Sequence, residues 1–310
     1  MVDRFRVFWK SLSREKNTFL ALWQLTYTAI GFISTAFSFA VLVKNLIGYT
    51  GFESWCKDYW WGLLSSGILA SVVKNKEQTS FEGALENDDF RVNVRVSNLF
   101  SVGASSFVIP TNTFFRTKMD GEYISPDSVQ GDFQLKYFKN RFDELDRLIE
   151  ASLQEQNIAY ENARDKFGAV KKYPIGSVAK VDFGGKHYYF VAINDVNEFG
   201  KPEGQGYSNV EAALKGLRKT IEKIGHCDEL AMPLIGTGRA AIREATIEKV
   251  IQSVVDSFLN TEDKIARKLI VCIRPKDYLE RIVNLKNIKD CISYKCGFKE
   301  RYGITRSRKL

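Results

Sequence analysis

The sequence predicts a two-helix transmembrane hairpin at the N-terminal end, followed by a three-layer α/β domain built on a mixed sheet. Three observations predict this. Residues 18–43 are 26 consecutive uncharged positions rich in Leu, Phe, Ile, Val and Ala, and a second uncharged run of 15 covers residues 59–73. Beyond residue 90 short apolar runs alternate with segments of helical period. In the last third, Glu229-Leu-Ala-Met-Pro-Leu-Ile-Gly-Thr-Gly-Arg239 carries an apolar run straight into a glycine loop, and a helical pattern over 244–259 follows.

As a helix, residues 18–43 would measure about 39 Å, more than the roughly 30 Å of bilayer hydrocarbon. The run is about twice the length of a signal-peptide core, and no small-x-small cleavage site follows it. The second run reaches only about 22 Å, a length that also suits a re-entrant or interfacial segment. Trp55, Tyr59, Trp60 and Trp61 form an aromatic belt at its start, and Lys57 and Lys74 can snorkel at its flanks. Two spans are therefore expected, at about 18–43 and 57–74, within an anchor covering residues 1–76. Gly62, Ser65, Ser66, Gly67, Ala70 and Ser71 give the second run small-residue faces on which membrane helices pack, Gly62 and Ser66 lying four apart.

Arg4, Arg6, Lys10, Arg14 and Lys16 precede the first run, against Lys44 and Lys57 in the connecting loop and Lys74 and Lys76 after the second. The positive-inside rule then places both termini and the large domain in the cytoplasm. The net charge of +8 gathers partly at the ends, where Arg301, Arg306, Arg308 and Lys309 complete the pattern. That distribution fits membrane flanks and argues against nucleic acid as a partner. Five cysteines, odd in number and scattered, read as reduced thiols. Cys291 and Cys296 come nearest to ligand spacing, but with only His187 and His226 to join them no metal site is expected.

Residues 77–89 are polar and read as a linker, 90–300 as the α/β domain and 301–310 as a basic tail. Phe90–Val96 alternates apolar with polar over seven residues, the pattern of a half-buried strand. Ser105–Pro110 reads as a more central strand, and 121–132, which gathers Gly, Pro, Ser and Asp, as a long loop of the kind that covers a site. Residues 133–154 show one amphipathic helix. Two strands, 177–183 and 188–194, are joined by the four-residue loop Gly184-Gly-Lys-His187, and a helix over 209–224 ends at Gly225. The strand Glu229–Leu234, the helix 244–259 and a strand over 269–273 complete about six strands and three or four helices.

The order strand, Gly236-Thr-Gly238, helix points backbone N–H groups and a helix N-terminus at one spot, which suits a phosphate. The same glycines also serve simply to turn the chain from a strand into a helix. Asp132, a lone carboxylate with neither partner nor metal, is weak ground for a catalytic base.

Val108-Ile-Pro-Thr-Asn112 followed later by Met232-Pro-Leu-Ile-Gly-Thr-Gly238 resembles the macrodomain, the fold that binds ADP-ribose, over roughly residues 90–275. With two membrane spans ahead of it, the chain is similar to the membrane-anchored macrodomain effectors of bacterial Thoeris anti-phage defence. The resemblance implies a two-pass protein of the bacterial inner membrane whose ligand is an ADP-ribose conjugate, histidine-ADP-ribose being expected, made from NAD by a TIR-domain enzyme. It also implies homo-oligomer formation on activation and disruption of membrane lipid. Asn112 is expected at the distal ribose, and Gly236, Thr237, Gly238 and Arg239 around the diphosphate. Gln130, Gly131 and Asp132 fall where the family has its first phosphate loop, and Asn98 where many members place an adenine-binding Asp. Here the chain departs from the pattern, with Asn for Asp at 98 and only Gly131 in place of the glycine run of hydrolytic members. A sensor rather than an enzyme is therefore expected, with no cofactor; the alternative is a membrane-tethered ADP-ribosyl hydrolase.

Overall fold

The computed structural model describes residues 2–13, 18–48, 50–85, 88–119, 124–197, 199, 201–204, 206–225, 227–237, 246–259, 265–280 and 283–301. The chain divides into two compact units, Met1–Thr79 and Ser80–Leu310.

The first unit is helical: Val2–Ser13 (α1), Thr18–Ile47 (α2), Gly51–Asp58 (α3) and Trp60–Asn75 (α4). Within α2, Leu25–Ile47 is long and apolar enough to cross a membrane, and among the described residues it is alone in this. The expectation of two spans is corrected here. The helix breaks at Tyr59 (φ −111°, ψ 30°), so residues 57 and 58 belong to α3, and no single helix runs from 57 to 74. What remains, α4, has 16 residues, about 24 Å of helix against a hydrocarbon layer of about 30 Å. It lies antiparallel against α2 through small residues. Ser71 Oγ donates to the Leu25 carbonyl at 2.8 Å, and a Cβ on Gly67 would stand 3.2 Å from the Ala29 carbonyl oxygen. The contact thus uses Gly67 and Ser71, whereas a Cβ on Gly62 would meet nothing within 4 Å.

The second unit contains Ser80–Leu85 (β1), Asp88–Val96 (β2), a 3₁₀ turn at Leu99–Ser101, Ser106–Asn112 (β3), Val129–Tyr137 (α5), Phe142–Glu155 (α6), Glu161–Asp165 (β4), Gly168–Lys172 (β5), Val178–Phe183 (β6), Lys186–Val196 (β7), Pro202–Glu203 (β8), Tyr207–Ile224 (α7), Cys227–Pro233 (β9), Ile247–Leu259 (α8), Ala266–Ile273 (β10), Pro275–Glu280 (α9) and Leu285–Arg301 (α10). The main sheet runs β1-β2-β10-β9-β3-β7-β6. Its five inner strands are parallel and its two edge strands antiparallel, which is the expected mixed sheet. The later halves of β9 and β10 are buried on both faces, so Leu230–Pro233 and Leu269–Ile273 read as unbroken apolar runs rather than alternating ones. One face carries Phe107, Ile109, Phe190, Ala231, Ile270 and Cys272 and packs against Phe133, Phe138, Leu145, Ile149 and Leu153 of α5 and α6. Helices α7, α8 and α10 form the third layer. There, α7 approaches the chain entering β6 so closely that a Cβ on Gly216 would lie 1.8 Å from the Gly176 carbonyl oxygen.

Four local expectations change. Residues 80–85 of the supposed linker form β1, an edge strand whose outward positions are Ser80, Glu82 and Ala84. The loop 121–132 and the helix 133–154 resolve into two helices, α5 starting at Val129 and ending before Asn140, which takes a left-handed φ of 63°. The hairpin loop between β6 and β7 has two residues, since Phe183 pairs with Lys186; Gly184 and Gly185, at φ 58° and 71°, supply the positive φ that such a tight turn requires. The β4–β5 hairpin, α9 and α10 lie outside the expected elements. Glu244 and the tail beyond Arg301 lie outside the described residues.

Candidate functional site

The sheet opens where its winding reverses. β3 and β9 are parallel neighbours, but the chain leaving β3 returns through β6 and β7 on one side while the chain leaving β9 returns at β10 on the other. Such a reversal leaves a crevice outside the carboxyl ends of the two strands. Here the strands also part. β3 and β9 are paired only at Ser106↔Leu230 and Phe107↔Ala231, whereas β9 stays with β10 as far as Pro233 and β3 stays with β7 as far as Asn112. Counted from Ser106↔Leu230, Asn112 and Gly236 stand the same six residues further along. The two motifs singled out in the sequence therefore flank one opening.

Asn112 is 4% exposed. Its Oδ1 accepts the Phe114 N–H at 3.0 Å and its carbonyl accepts the Phe115 N–H at 3.1 Å, which turns the chain through Phe115 at φ 51°. Its Nδ2 donates to no other described residue. On the other wall, Gly236 takes a φ of 79°, a conformation that costs an L side chain about 1–2 kcal/mol. Thr237 is buried, and its Oγ1 donates to the Leu234 carbonyl at 3.3 Å, closing the turn. Gly238 and Arg239 lie outside the described residues.

Asn98 follows β2, exposed, and its carbonyl accepts the Ser101 hydroxyl at 2.7 Å and the Ser101 N–H at 3.1 Å. Gln130, Gly131 and Asp132 sit in the first turn of α5 rather than in a loop. Gln130 is 3% exposed and its Nε2 donates to the Arg116 carbonyl at 3.0 Å. The Gly131 N–H donates to Ser128 Oγ at 3.0 Å and the Asp132 N–H to the Ser128 carbonyl at 2.9 Å. This turn is thus capped by its own serine, a signal readable from Ser128 preceding Asp132 in a first turn. A Cβ on Gly131 would lie 2.1 Å from the Ser125 carbonyl oxygen, so only glycine lets the chain before α5 fold onto it.

Residues without a sequence signal hold the walls in place. Arg274, just past β10, binds Asp277 through Nε and Nη2 at 2.8 and 3.2 Å and donates through Nη1 to the Asp127 carbonyl at 3.2 Å. That tether ties the chain before α5 to the end of β10. Arg116 binds the buried Asp165 of β4 through two hydrogen bonds, 2.8 and 3.1 Å, clamping the β4–β5 hairpin onto the loop after β3. Thr117 donates to Asp146 at 2.7 Å, and burial raises that carboxyl above its ordinary range while the Thr117 hydroxyl pulls it back. Cys272, 1% exposed on β10, has its thiol pushed up to about 12 by burial, with Arg95 acting in the opposite direction. Asp182 binds exposed His187 at 2.6 Å, away from the crevice at the β6–β7 turn. Glu248, Ile251, Ile288, Cys291 and Lys295 line a separate cleft between α8 and α10, on the other side of the sheet from α5.

A family model described as "Thoeris protein ThsA, Macro domain" matches residues 92–274, from within β2 to just past β10. Among solved structures, the chain is similar to the Oceanobacillus iheyensis macrodomain with MES bound, at 10% identity, 71% of this chain, 98% of that chain and a TM-score of 0.45. It is also similar to the Oceanobacillus iheyensis macrodomain with ADP, at 11% identity, 71% and 97% coverage and a TM-score of 0.44. A third is the macrodomain of Thermus aquaticus DarG, at 14% identity, 59% and 98% coverage and a TM-score of 0.39. No curated protein matches.

Proposed function

We propose, from the premise that this chain belongs to the Thoeris ThsA Macro-domain family, that its second unit senses an ADP-ribose-type signal and that its first unit is the membrane-anchored effector under its control. The observation that carries this reading is the parting of β3 from β9, with the spare amide of Asn112 on one wall and the positive-φ turn at Gly236 on the other. A diphosphate needs backbone N–H groups in a tight glycine turn, and a ribose needs a fixed donor beside it. In the proposed pose Asn112 Nδ2 donates to a ribose hydroxyl. The turn at Gly236 and Thr237 faces the diphosphate, and the Asn98 carboxamide oxygen accepts from the adenine amine. Gln130, Gly131 and Asp132 shape the wall, their hydrogen bonds to the protein already made.

The signal is an ADP-ribose conjugate carrying histidine, made from NAD by a TIR-domain partner. Binding shifts an equilibrium only through different affinities for two states, here a dispersed and an assembled one. A ligand at about 100 times its Kd supplies roughly 2.7 kcal/mol towards the competent state, and several assembling copies multiply the bias. The assembled anchors then disrupt the bacterial inner membrane, α2 crossing it with α4 packed antiparallel along it. The protein acts as a sensor and leaves its ligand unchanged.

Calorimetry with free ADP-ribose, its histidine conjugate and ADP-ribosylated protein, with chromatography of the recovered ligand, tests this. Saturable binding of intact conjugate supports the sensor. Multiple turnover would make the chain a membrane-tethered hydrolase instead.

A further inference from the structure

We infer that α1 is an interfacial helix that docks on the anionic phospholipid headgroups of the leaflet from which α2 enters the membrane. This rests on reading α2 as a membrane span. Phe5 and Trp9, one turn apart on α1, are 67% and 40% exposed, while Ser11 and Leu12 near its end are 0% and 4% exposed. The C-terminal turns of the helix are fixed within its own unit. The Ser11 carbonyl accepts the Glu77 N–H at 2.8 Å, and Lys76 Nζ stands 5.4 Å from the centroid of the Phe8 ring. Both contacts come from the chain just after α4, so α1 is held at that end of the helical unit, with Phe5 and Trp9 on its open side.

The chemistry of that open side fits lipid. An aromatic pair on a helix with basic neighbours is the composition of helices that lie in the headgroup plane, with the rings reaching the top of the acyl chains. Residues 1–17 hold five basic side chains, Arg4, Arg6, Lys10, Arg14 and Lys16, against two acidic ones, Asp3 and Glu15, and Arg6 is exposed beside the aromatic pair. Net positive charge complements an anionic leaflet and is repelled by a second copy of itself. Continuity adds to this, because α1 ends at Ser13 and α2 begins at Thr18. The exposed pair therefore sits where α2 meets the bilayer surface.

The test uses the full chain in vesicles of phosphatidylcholine with or without phosphatidylglycerol, containing lipids brominated either high in the acyl chain or near the bilayer centre. The Trp9 signal is the difference between the full chain and its Trp9→Phe variant. The expected result is stronger quenching by the shallow bromines than by the deep ones, falling by about twofold or more without phosphatidylglycerol or with Arg6→Glu. Absence of quenching from either depth, or quenching indifferent to lipid charge and to Arg6→Glu, would overturn the inference. Alkaline carbonate extraction of the same vesicles separates the two readings. A chain that stays in the membrane with Trp9 unquenched sinks only the role of α1, whereas a chain released by carbonate sinks both.

Discussion

At the scale of single residues, Asn112 joins two tasks that substitution can separate. Its Oδ1 shapes the turn through the Phe114 N–H, and its Nδ2, which donates to no other described residue, is the donor assigned to the ribose in the proposed pose. Asn112→Asp keeps the acceptor and loses the donor, so unfolding by urea should be nearly unchanged while affinity for the ADP-ribose conjugate falls about tenfold or more. Asn112→Ala should lower both. Gly131 reverses a general rule. Gly→Ala inside a helix usually stabilises by about 1 kcal/mol, but the Ser125 carbonyl oxygen 2.1 Å from the new Cβ forces α5 and the chain before it apart. Thermal unfolding should show Gly131→Ala destabilised by about 1–3 kcal/mol. Cys272 gives a pH signature. Its thiol ionises at the ordinary value of 9.0 when unfolded and at about 12 when folded. The folded state therefore keeps a proton that the unfolded state releases. That stability is fully present below pH 9 and is lost as pH rises towards 12, by up to about 1.4 kcal/mol per pH unit. Cys272→Ala should make the urea-measured stability profile shallower between pH 9 and 10, leaving the contribution of buried Cys296; above pH 10 buried Tyr188 and Tyr189, whose hydroxyls burial also raises, add a loss of the same sign. Of these residues Asn112 and Gly236 were legible in the sequence, because an Asn after an apolar run and a Gly-x-Gly carry turn chemistry locally. The strict need for Gly131 was not, since it depends on a carbonyl six residues away folding back.

Between elements, the Arg116–Asp165 pair is the clamp most open to test. Asp165 is buried and also accepts the Phe167 N–H at 2.8 Å, while Arg116 is 28% exposed. Removing one partner of a fully buried pair costs about 3–5 kcal/mol; with Arg116 partly in water, Asp165→Ala should cost about 2–3 kcal/mol. Hydrogen exchange should speed up across residues 161–172 and along the loop after β3, where Gln130 holds the Arg116 carbonyl. Unchanged exchange there would mean that the pair clamps nothing. The strands β2, β3, β7, β9 and β10 and the helix α7 announce themselves through apolar runs, alternation and the Gly225 cap, which are local properties. Edge strand β1 did not, because its outward residues face water and dilute the signal. The α5–α6 break was hidden for the opposite reason: Leu135, Phe138, Phe142 and Leu145 keep helical spacing straight through Asn140, whose left-handed turn leaves no apolar trace. The second membrane segment failed on continuity, since composition cannot show a break at Tyr59 between two helical stretches.

On the scale of the whole molecule, the sequence contains the two loops assigned to the proposed site but not the strand order that sets them on adjacent strands. Residues 112 and 236 come to lie beyond the ends of adjacent strands only because β9 is inserted beside β3 and the winding reverses between them, a long-range pairing that no local period encodes. The long apolar helix α2 is legible in the sequence, being long and apolar enough to cross a membrane, whereas the 16 residues of α4 fall short of a bilayer. The proposed sensing depends on the crevice between β3 and β9 binding an ADP-ribose conjugate. Calorimetric titration of the histidine conjugate into the full chain held in lipid nanodiscs tests that most directly. Saturable binding at about one ligand per macrodomain, intact on recovery and lost in Asn112→Asp, is the predicted result. Absence of binding, or binding that Asn112→Asp leaves untouched, would contradict it.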